Sequence, residues 1–347
     1  MGMSEFQPPT LRSKAGAVAD VAREFAAETE KLGHVHPEVL QIMQAAGLPQ
    51  LIKPNSAYTI KEFVDVCGIL AEGCMSTGWC NFVWGMHNFL IGLYPGEVQE
   101  KVWENPGTLV SASLGPAGHA DKITEDGAVV SGRWRFNSGS DHADWLLLGI
   151  SQDEGEPYLG LVHKSEYQLD PDSWDVMGLR GTGSKDAICE SVHLPPERLV
   201  PYSASLSIYG AFLILVIVGP VIGGAQGAVN EYAKQVTLEH SQSALLRLSE
   251  ASAEVDAART IALAAADILD LNPAPNDFLA SRILRDTAFA ARLCNNATRR
   301  VFEAAGGSAL HAHRPIQRIF RDVTAGCAHA KLQWEANVFP YGQMLVS

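Results

Sequence analysis

The sequence lacks most of the short motifs that identify common enzyme classes. Its 347 residues contain no GxGxxG and no GxxxxGK[ST], so a Rossmann or P-loop nucleotide site has no support. HExxH and GxSxG are also absent, which leaves common zinc-protease and serine-hydrolase sites unsupported. Basic residues are few, with 26 Lys and Arg against 39 Asp and Glu and a net charge of −13. This balance disfavours binding to nucleic acid or to an anionic membrane surface.

Paired cysteines are missing as well, since none of the six cysteines forms a CxxC motif. They are Cys67, Cys74, Cys80, Cys189, Cys294 and Cys327. Free thiols in a reducing cytoplasm are therefore expected, and residues 1–14 show no apolar stretch typical of a signal peptide. The close histidine pairs at 34/36 and 311/313 are spaced two apart and point away from each other on a helix. We therefore expect no metal site.

Charge is absent from one long segment, because residues 201–230 contain no Asp, Glu, Lys or Arg. A membrane-spanning helix needs about 20 apolar residues, so the length of this segment is borderline. Pro220 and several glycines interrupt it, and no dense Lys/Arg cluster flanks it. The pattern favours a buried bundle helix over a membrane span.

Hydrophobic periodicity changes twice along the chain. Apolar residues recur at helical spacing between positions 17 and 25 in a charged stretch, which predicts an amphipathic helix. Residues 128–136 instead alternate behind a turn, with Val130, Trp134 and Phe136 predicted on one face of a strand.

The chain then returns to a helical pattern. Alanine-rich segments at 248–271 and 278–305 are predicted helices, followed by a final helix at about 316–338. The order of helices, strands and long helices predicts an α+β protein with three domains. They are an N-terminal helical domain at 1–107, a central β domain at 108–200 and a C-terminal helical bundle at 201–347.

Several segments together resemble a known family, and they cover nearly the whole chain in the family's order. They are residues 71–80, 84–88, 111–118, 132–145, 174–186, 302–307 and 315–322, followed by His329. The sequence is similar to the flavin-dependent monooxygenase branch of the acyl-CoA dehydrogenase superfamily, which includes oxygenase components for 4-hydroxyphenylacetate, indole and dibenzothiophene. The resemblance implies an acyl-CoA dehydrogenase-like fold with a β-barrel-like central domain and a C-terminal four-helix bundle. It also implies a homotetramer with flavin sites completed by a neighbouring subunit.

The resemblance also assigns roles to individual residues. It implies that His87 lies beside the substrate and the flavin's reactive edge, that Ser138 bonds the ring near N5, and that His329 closes the pocket. The residues implied to bind the cofactor are Ser113, Phe136, Ser138, Trp174, Ser184, Gly306 and Gly307. Without the family, His87 reads as a core histidine, Ser138 as a turn residue and His329 as a surface histidine.

The activity implied is that of the oxygenase half of a two-component system. Reduced flavin from a separate NAD(P)H-dependent reductase would react with O2 to give a C4a-hydroperoxyflavin, which hydroxylates or epoxidises a small aromatic substrate such as a phenol or indole. The lack of an Arg/Lys-rich site for an adenosine diphosphate moiety favours FMN over FAD. The alternatives are an FAD-dependent acyl-CoA dehydrogenase and a membrane-associated scaffold. The dehydrogenase is disfavoured because no glutamate follows Tyr341.

Overall fold

A computed structural model describes residues 10–237 and 242–346, with the side chains of 205–210 left out of the description. The first nine residues, where no signal peptide is expected, therefore lie outside the described part. The N-terminal helices are α1 (Leu11–Glu24), α2 (Ala26–Leu32), α3 (Pro37–Ala45), α4 (Ile60–Gly73), α5 (Met75–Leu90) and α6 (Gly96–Val102). The helix predicted around positions 17–25 is confirmed by α1.

Helix α5 lies in the middle of the molecule. Every residue of it except Phe89 is buried, so it contacts other elements on all sides. It follows directly from α4, whose start is fixed by a capping box in which Thr59 and Glu62 bond each other's backbone amides. A helix buried all round positions polar side chains in the interior, and His87 is one of them.

In the part of the chain that the structure describes, seven strands form one mixed sheet. They are β1 (Val110–Ala120), β2 (Ala128–Asn137), β3 (Trp145–Gln152), β4 (Tyr158–His163), β5 (Gln168–Asp170), β6 (Lys185–Leu194) and β7 (Leu199–Pro201). Their order is β5-β6-β2-β1-β3-β4-β7, with β1 and β3 parallel and the other neighbours antiparallel. The sheet curls over a core of its own, because an added Cβ at Gly160 of β4 would lie 2.7 Å from Leu194 of β6.

The alternation predicted in β2 is correct at Val130 and Trp134, which are buried, and wrong at Phe136. The pairing of β2 with β6 shifts register between Trp134 and Asn137, which is a β-bulge. The bulge places Phe136 at a left-handed φ of 64° and leaves it 68% exposed. Such a conformation is uncommon for a bulky residue and is typical of functional sites.

Trp134 fills the core of the sheet because Gly118 on the neighbouring strand has no side chain. An added Cβ at Gly118 would lie 1.8 Å from Cζ2 of Trp134, which is fully buried. We expect Gly118→Ala to lower the free energy of unfolding by about 2–3 kcal/mol, measured by urea denaturation. Gly115→Ala in the same strand is the control, because an added Cβ there meets no atom within 4 Å. Equal denaturation midpoints for the two variants would contradict this packing.

Among the described residues, five α-helices follow the sheet, and the first three are the longest of the protein. They are α7 (Tyr202–Ala233), α8 (Gln242–Leu271), α9 (Asp277–Ala304), α10 (Pro315–Cys327) and α11 (Trp334–Met344). Residues Ala211–Ala233 of α7 are long and apolar enough to cross a membrane, yet 89% of their most apolar window is buried inside the protein. Gly223 lets α7 approach α4 closely, since an added Cβ would lie 2.0 Å from the carbonyl oxygen of Gly68. The burial and the close packing are those of a core helix.

The single final helix predicted at 316–338 is wrong. The chain leaves the helix after Cys327, makes a short 3-10 turn at Ala330–Leu332, and resumes as α11. His329 lies in this break, where its Nδ1 accepts a hydrogen bond from the Lys331 amide at 3.2 Å. The helices before and after the sheet share one hydrophobic core, and the α+β class is confirmed.

Candidate active site

Three elements meet around the turn that follows β2. Trp84 of α5 donates a hydrogen bond from Nε1 to the carbonyl of Gly139 at 3.2 Å. The amide of Gly139 donates to the carbonyl of Thr182 at 2.7 Å. Gly139 has a φ of 73°, and an added Cβ would lie 2.5 Å from the Trp84 Nε1, so glycine is required here. The contacts join α5, the turn and the segment before β6 into one site.

A chain of three hydroxyl groups runs through this site. The Oγ atoms of Ser138 and Ser184 are 2.7 Å apart, and Ser184 Oγ is 2.7 Å from Thr182 Oγ1. Thr182 Oγ1 donates to the carbonyl of Leu179 at 2.8 Å. Ser111 of β1 donates from Oγ to the carbonyl of Ser138 at 2.6 Å and so fixes the backbone of the turn. Two residues predicted from the sequence, Ser138 and Ser184, are thus directly bonded.

The loop before the hydroxyl chain is held against α10. The amide of Leu179 donates to Asp322 Oδ1 at 2.6 Å, and Arg321 Nη1 donates to the carbonyl of Met177 at 2.7 Å. Gly178 packs so closely that an added Cβ would lie 2.2 Å from the Arg321 carbonyl oxygen. Asp322 is buried, and desolvation raises its carboxyl pKa to about 6.

Two predicted aromatic residues lie beside the hydroxyl chain. The rings of Phe136 and Trp174 are 6.0 Å apart and perpendicular, and Phe136 is largely exposed. Trp174 Nε1 donates to the same Leu179 carbonyl that accepts from Thr182, at 3.2 Å. An exposed aromatic surface beside hydroxyl groups is suited to a flat ring with polar edges.

His87 is buried in α5, and desolvation lowers its pKa to about 3, opposed by an interaction with the backbone of Val110. The ring is therefore neutral at physiological pH. Its Nδ1 is buried and has no hydrogen-bond partner in the described part of the chain. Val110 directly precedes Ser111, which bonds the Ser138 turn. A buried neutral imidazole with an unused nitrogen is suited to accept a hydrogen bond from the OH or NH of a ligand.

His329 approaches the other end of the same helix. Its ring lies 6.0 Å from that of Trp79, and burial lowers its pKa. Trp79 and His87 are eight residues apart, about 12 Å along the helix axis. His329 therefore contacts α5 two turns away from His87, and the two histidines do not contact each other.

Ser113 lies in β1 on the same side as Ser111 and is half-buried, directly before a register shift in the strand. Gly306 and Gly307 lie in a 3-10 turn after α9 and are exposed. Gly306 has a φ of 68°, and an added Cβ at either glycine would meet nothing within 4 Å. The single described chain thus gives no close approach at these glycines and does not bring them to Ser138.

Two residues that hold the loop of the site in place, Thr182 and Asp322, were not predicted from the sequence. Thr182 and Asp322 both fall inside segments that carried the family resemblance, but nothing in their spacing marked a role. Asp322 and Leu179 are 143 residues apart in sequence, so their contact appears only once the chain is folded.

A separate cavity of about 530 Å³ contains none of the predicted site residues. It is lined by Lys101, Val102, Glu104, Asn105, Thr108, Asp144, Trp145, His163, Ser165, Glu166 and Arg198. Two of its carboxylates are already paired, since Arg198 bonds Glu166 at 2.7 Å and Lys164 bonds Asp144 at 2.7 Å. The hydroxyl chain, the aromatic pair and the unpaired His87 nitrogen mark the better candidate.

Comparison with known proteins agrees with this architecture. A model of the acyl-CoA dehydrogenase C-terminal domain matches residues 215–334. The crystal structure of the HsaA monooxygenase from M. tuberculosis superposes with a TM-score of 0.90 at 28% identity, covering 97% of this chain and 96% of the other. The class defined by fold and site is that of the acyl-CoA dehydrogenase superfamily.

Curated relatives narrow the class. The flavin-dependent monooxygenase oxygenase subunit HsaA of Mycobacterium tuberculosis is 32% identical over 94% of both chains. The oxygenase component of an FADH(2)-dependent resorcinol hydroxylase from Rhizobium sp. is 28% identical over 97% of this chain and 94% of the relative. The chain belongs to the oxygenase subunits of flavin-dependent monooxygenases.

Proposed function

We propose that this protein hydroxylates a small aromatic substrate, using O2 and reduced flavin supplied by a separate NAD(P)H-dependent reductase. Bound reduced flavin supplies two electrons, one oxygen atom enters the substrate, and the other leaves as water while the flavin becomes oxidised. The relatives named for resorcinol and as oxygenase subunits support both an aromatic substrate and a reductase partner. The acyl-CoA dehydrogenase alternative has no such support among them.

The observation that carries the proposal is the hydroxyl chain ending at Ser138, beside the Phe136–Trp174 pair. Ser138 and Ser184 would hold the polar edge of the flavin ring, and the aromatic pair would contact its face. His87, neutral and with an Nδ1 that has no partner in the described part of the chain, would accept a hydrogen bond from a substrate OH or NH and so assist its deprotonation. His329 would close the other end of the pocket.

The elements around the site also keep water out. Helix α5 is buried almost throughout, and α7 packs against it with residues 211–230, which carry no charged side chain. Oxygenation with reduced flavin competes with loss of hydrogen peroxide, and a dry, preorganised site favours the productive path. We therefore assign these two helices the role of shielding the reacting atoms.

Completion of the site by a neighbouring subunit belongs to the same proposal. Gly306 and Gly307 are exposed and far from Ser138 in sequence and contacts, so they would serve the site of another copy. Exposed apolar side chains on the last helices, including Phe289 and Phe339, fit a subunit interface in a homotetramer. We propose a cytoplasmic location for this assembly.

Rapid mixing tests the function. Anaerobic protein with reduced FMN, and separately with reduced FAD, is mixed with oxygenated buffer containing a panel of phenols and indoles. We expect the return of oxidised-flavin absorbance to be delayed relative to free flavin, with a hydroxylated product for at least one substrate. Flavin that reoxidises as fast as it does without protein would refute the proposal. Reduction of bound FAD by an acyl-CoA would instead establish the dehydrogenase.

The same experiment decides between FMN and FAD, because the preferred flavin should show the longer delay. The sequence favours FMN, whereas the name of the resorcinol relative specifies FADH(2).

A further inference from the structure

The proton directions along the hydroxyl chain are fixed by its buried end. The carbonyl of Leu179 has no proton to give, so Thr182 Oγ1 must be the donor in their bond. A hydroxyl group carries one proton, so Thr182 must accept from Ser184, and Ser184 must accept from Ser138. Ser138 therefore donates its hydroxyl hydrogen bond to Ser184, and only its lone pairs face outward.

The buried end is itself held by Asp322. Leu179 has a left-handed φ of 56°, which requires support for a branched residue. Its amide donates to the buried carboxylate at 2.6 Å, and its carbonyl accepts from both Thr182 and Trp174. Without the carboxylate a buried amide would lose its partner, so the loop would leave this conformation. Asp322 thus sets the direction of the carbonyl that starts the chain.

We propose that Thr182 and Asp322 are positioning residues that keep Ser138 a hydrogen-bond acceptor, so that the site prefers reduced over oxidised flavin. The inference rests on the proposed function, because it takes Ser138 to face the flavin N5. Reduced flavin carries an N–H at this position and matches an acceptor. Oxidised flavin carries only a lone pair there, which would face the lone pairs of Ser138.

Such a preference would serve an oxygenase that receives its flavin from another protein. The reductase releases reduced flavin into a solution that also contains oxidised flavin. A site that discriminates by the direction of one hydrogen bond would take up the useful form and release the spent one. The discrimination would come from the fixed proton order and not from any change in shape.

Equilibrium binding tests the proposal. The Kd for oxidised flavin and, anaerobically, for reduced flavin is measured for the unmodified protein, Thr182→Val and Thr182→Ser. We expect the unmodified protein to bind reduced flavin more tightly, and Thr182→Val to lower this preference about tenfold, because Ser184 loses its acceptor and Ser138 becomes free to donate. Thr182→Ser keeps a hydroxyl and should retain the preference.

An unchanged ratio of the two Kd values in Thr182→Val, with both flavins bound, would overturn the inference and leave the proposed function standing. Failure of the unmodified protein to bind either flavin would sink the proposed function, and this inference with it.

Asp322→Ala supplies a second readout that does not depend on flavin. Amide hydrogen exchange in flavin-free protein should quicken in residues 174–184, and the binding preference should fall as it does in Thr182→Val. Asp286→Ala is the matched control, since Asp286 is a largely buried carboxylate on α9 that pairs with Arg282 and Arg285, away from the loop. Asp322→Ala with slow exchange in the loop and an unchanged preference would remove Asp322 from the proposal.

Discussion

Acid should destabilise the flavin-free protein strongly through His87. Burial lowers the pKa of His87 to about 3 in the folded state, whereas the unfolded chain takes up a proton at about 6.5. The contribution of the neutral ring to stability is therefore fully present above about pH 6.5 and is lost as the pH falls towards 3. The whole shift corresponds to about 5 kcal/mol, and at about pH 5 roughly 2 kcal/mol of it should already be lost.

The measurement is the free energy of unfolding in urea at about pH 8 and about pH 5 for the unmodified protein and His87→Gln. Glutamine keeps a polar group of similar size but does not titrate, so the variant should lose less stability on acidification. His193→Gln, at an exposed position of β6, is the control and should keep the pH dependence of the unmodified protein. Parallel curves for His87→Gln and the unmodified protein would show that His87 is not the titrating group.

His87→Gln should also affect the reaction itself. In oxygen-supplied assays with flavin, the variant should no longer assist deprotonation of the substrate.

Periodicity was sufficient for the elements but not for their irregular parts. The amphipathic second half of α1 and the burial of Val130 and Trp134 followed from apolar spacing alone. The bulge that turns Phe136 outward depends on pairing between β2 and β6, which are about fifty residues apart, and no local pattern specifies it. The break after Cys327 was missed for a similar reason. Residues 328–338 are good helix formers, and their helix is interrupted by tertiary contacts such as that of His329 with Trp79.

The candidate site was also predictable only in part, because some of its residues depend on tertiary contacts. Ser138, Ser184, Phe136 and Trp174 lie in segments that resemble the family. The fold joins the two serines by a hydrogen bond and places the two aromatic rings edge to face. Asp322 could not be assigned from the sequence, because a carboxylate in an amphipathic helix is usually solvated, and its burial depends on the loop that packs over α10. Gly306 and Gly307 remain a prediction that a second subunit must complete.

Ser138→Ala should uncouple flavin oxidation from hydroxylation. The substitution removes the outer end of the hydroxyl chain, so that Ser184 Oγ loses the donor from which it accepts and no acceptor at position 138 faces the flavin. Loss of one partner of a buried hydrogen bond typically costs about 1–3 kcal/mol, which corresponds to roughly ten- to hundredfold. We therefore expect reduced flavin bound to Ser138→Ala to reoxidise faster by about this factor in oxygenated buffer. Hydrogen peroxide should replace hydroxylated product in the yield.

Ser140→Ala distinguishes the hydroxyl chain from the loop that carries it. Ser140 is a buried neighbour whose Oγ donates to the Gly183 carbonyl at 3.1 Å, outside the chain. Loss of that bond loosens the same turn without changing the group that faces the flavin, so product yield should stay close to that of the unmodified protein. If both variants release peroxide equally, the rigidity of the turn explains the coupling. If only Ser138→Ala does, the hydroxyl itself controls the fate of the bound oxygen, and the direction of its hydrogen bond becomes the property on which the enzyme depends.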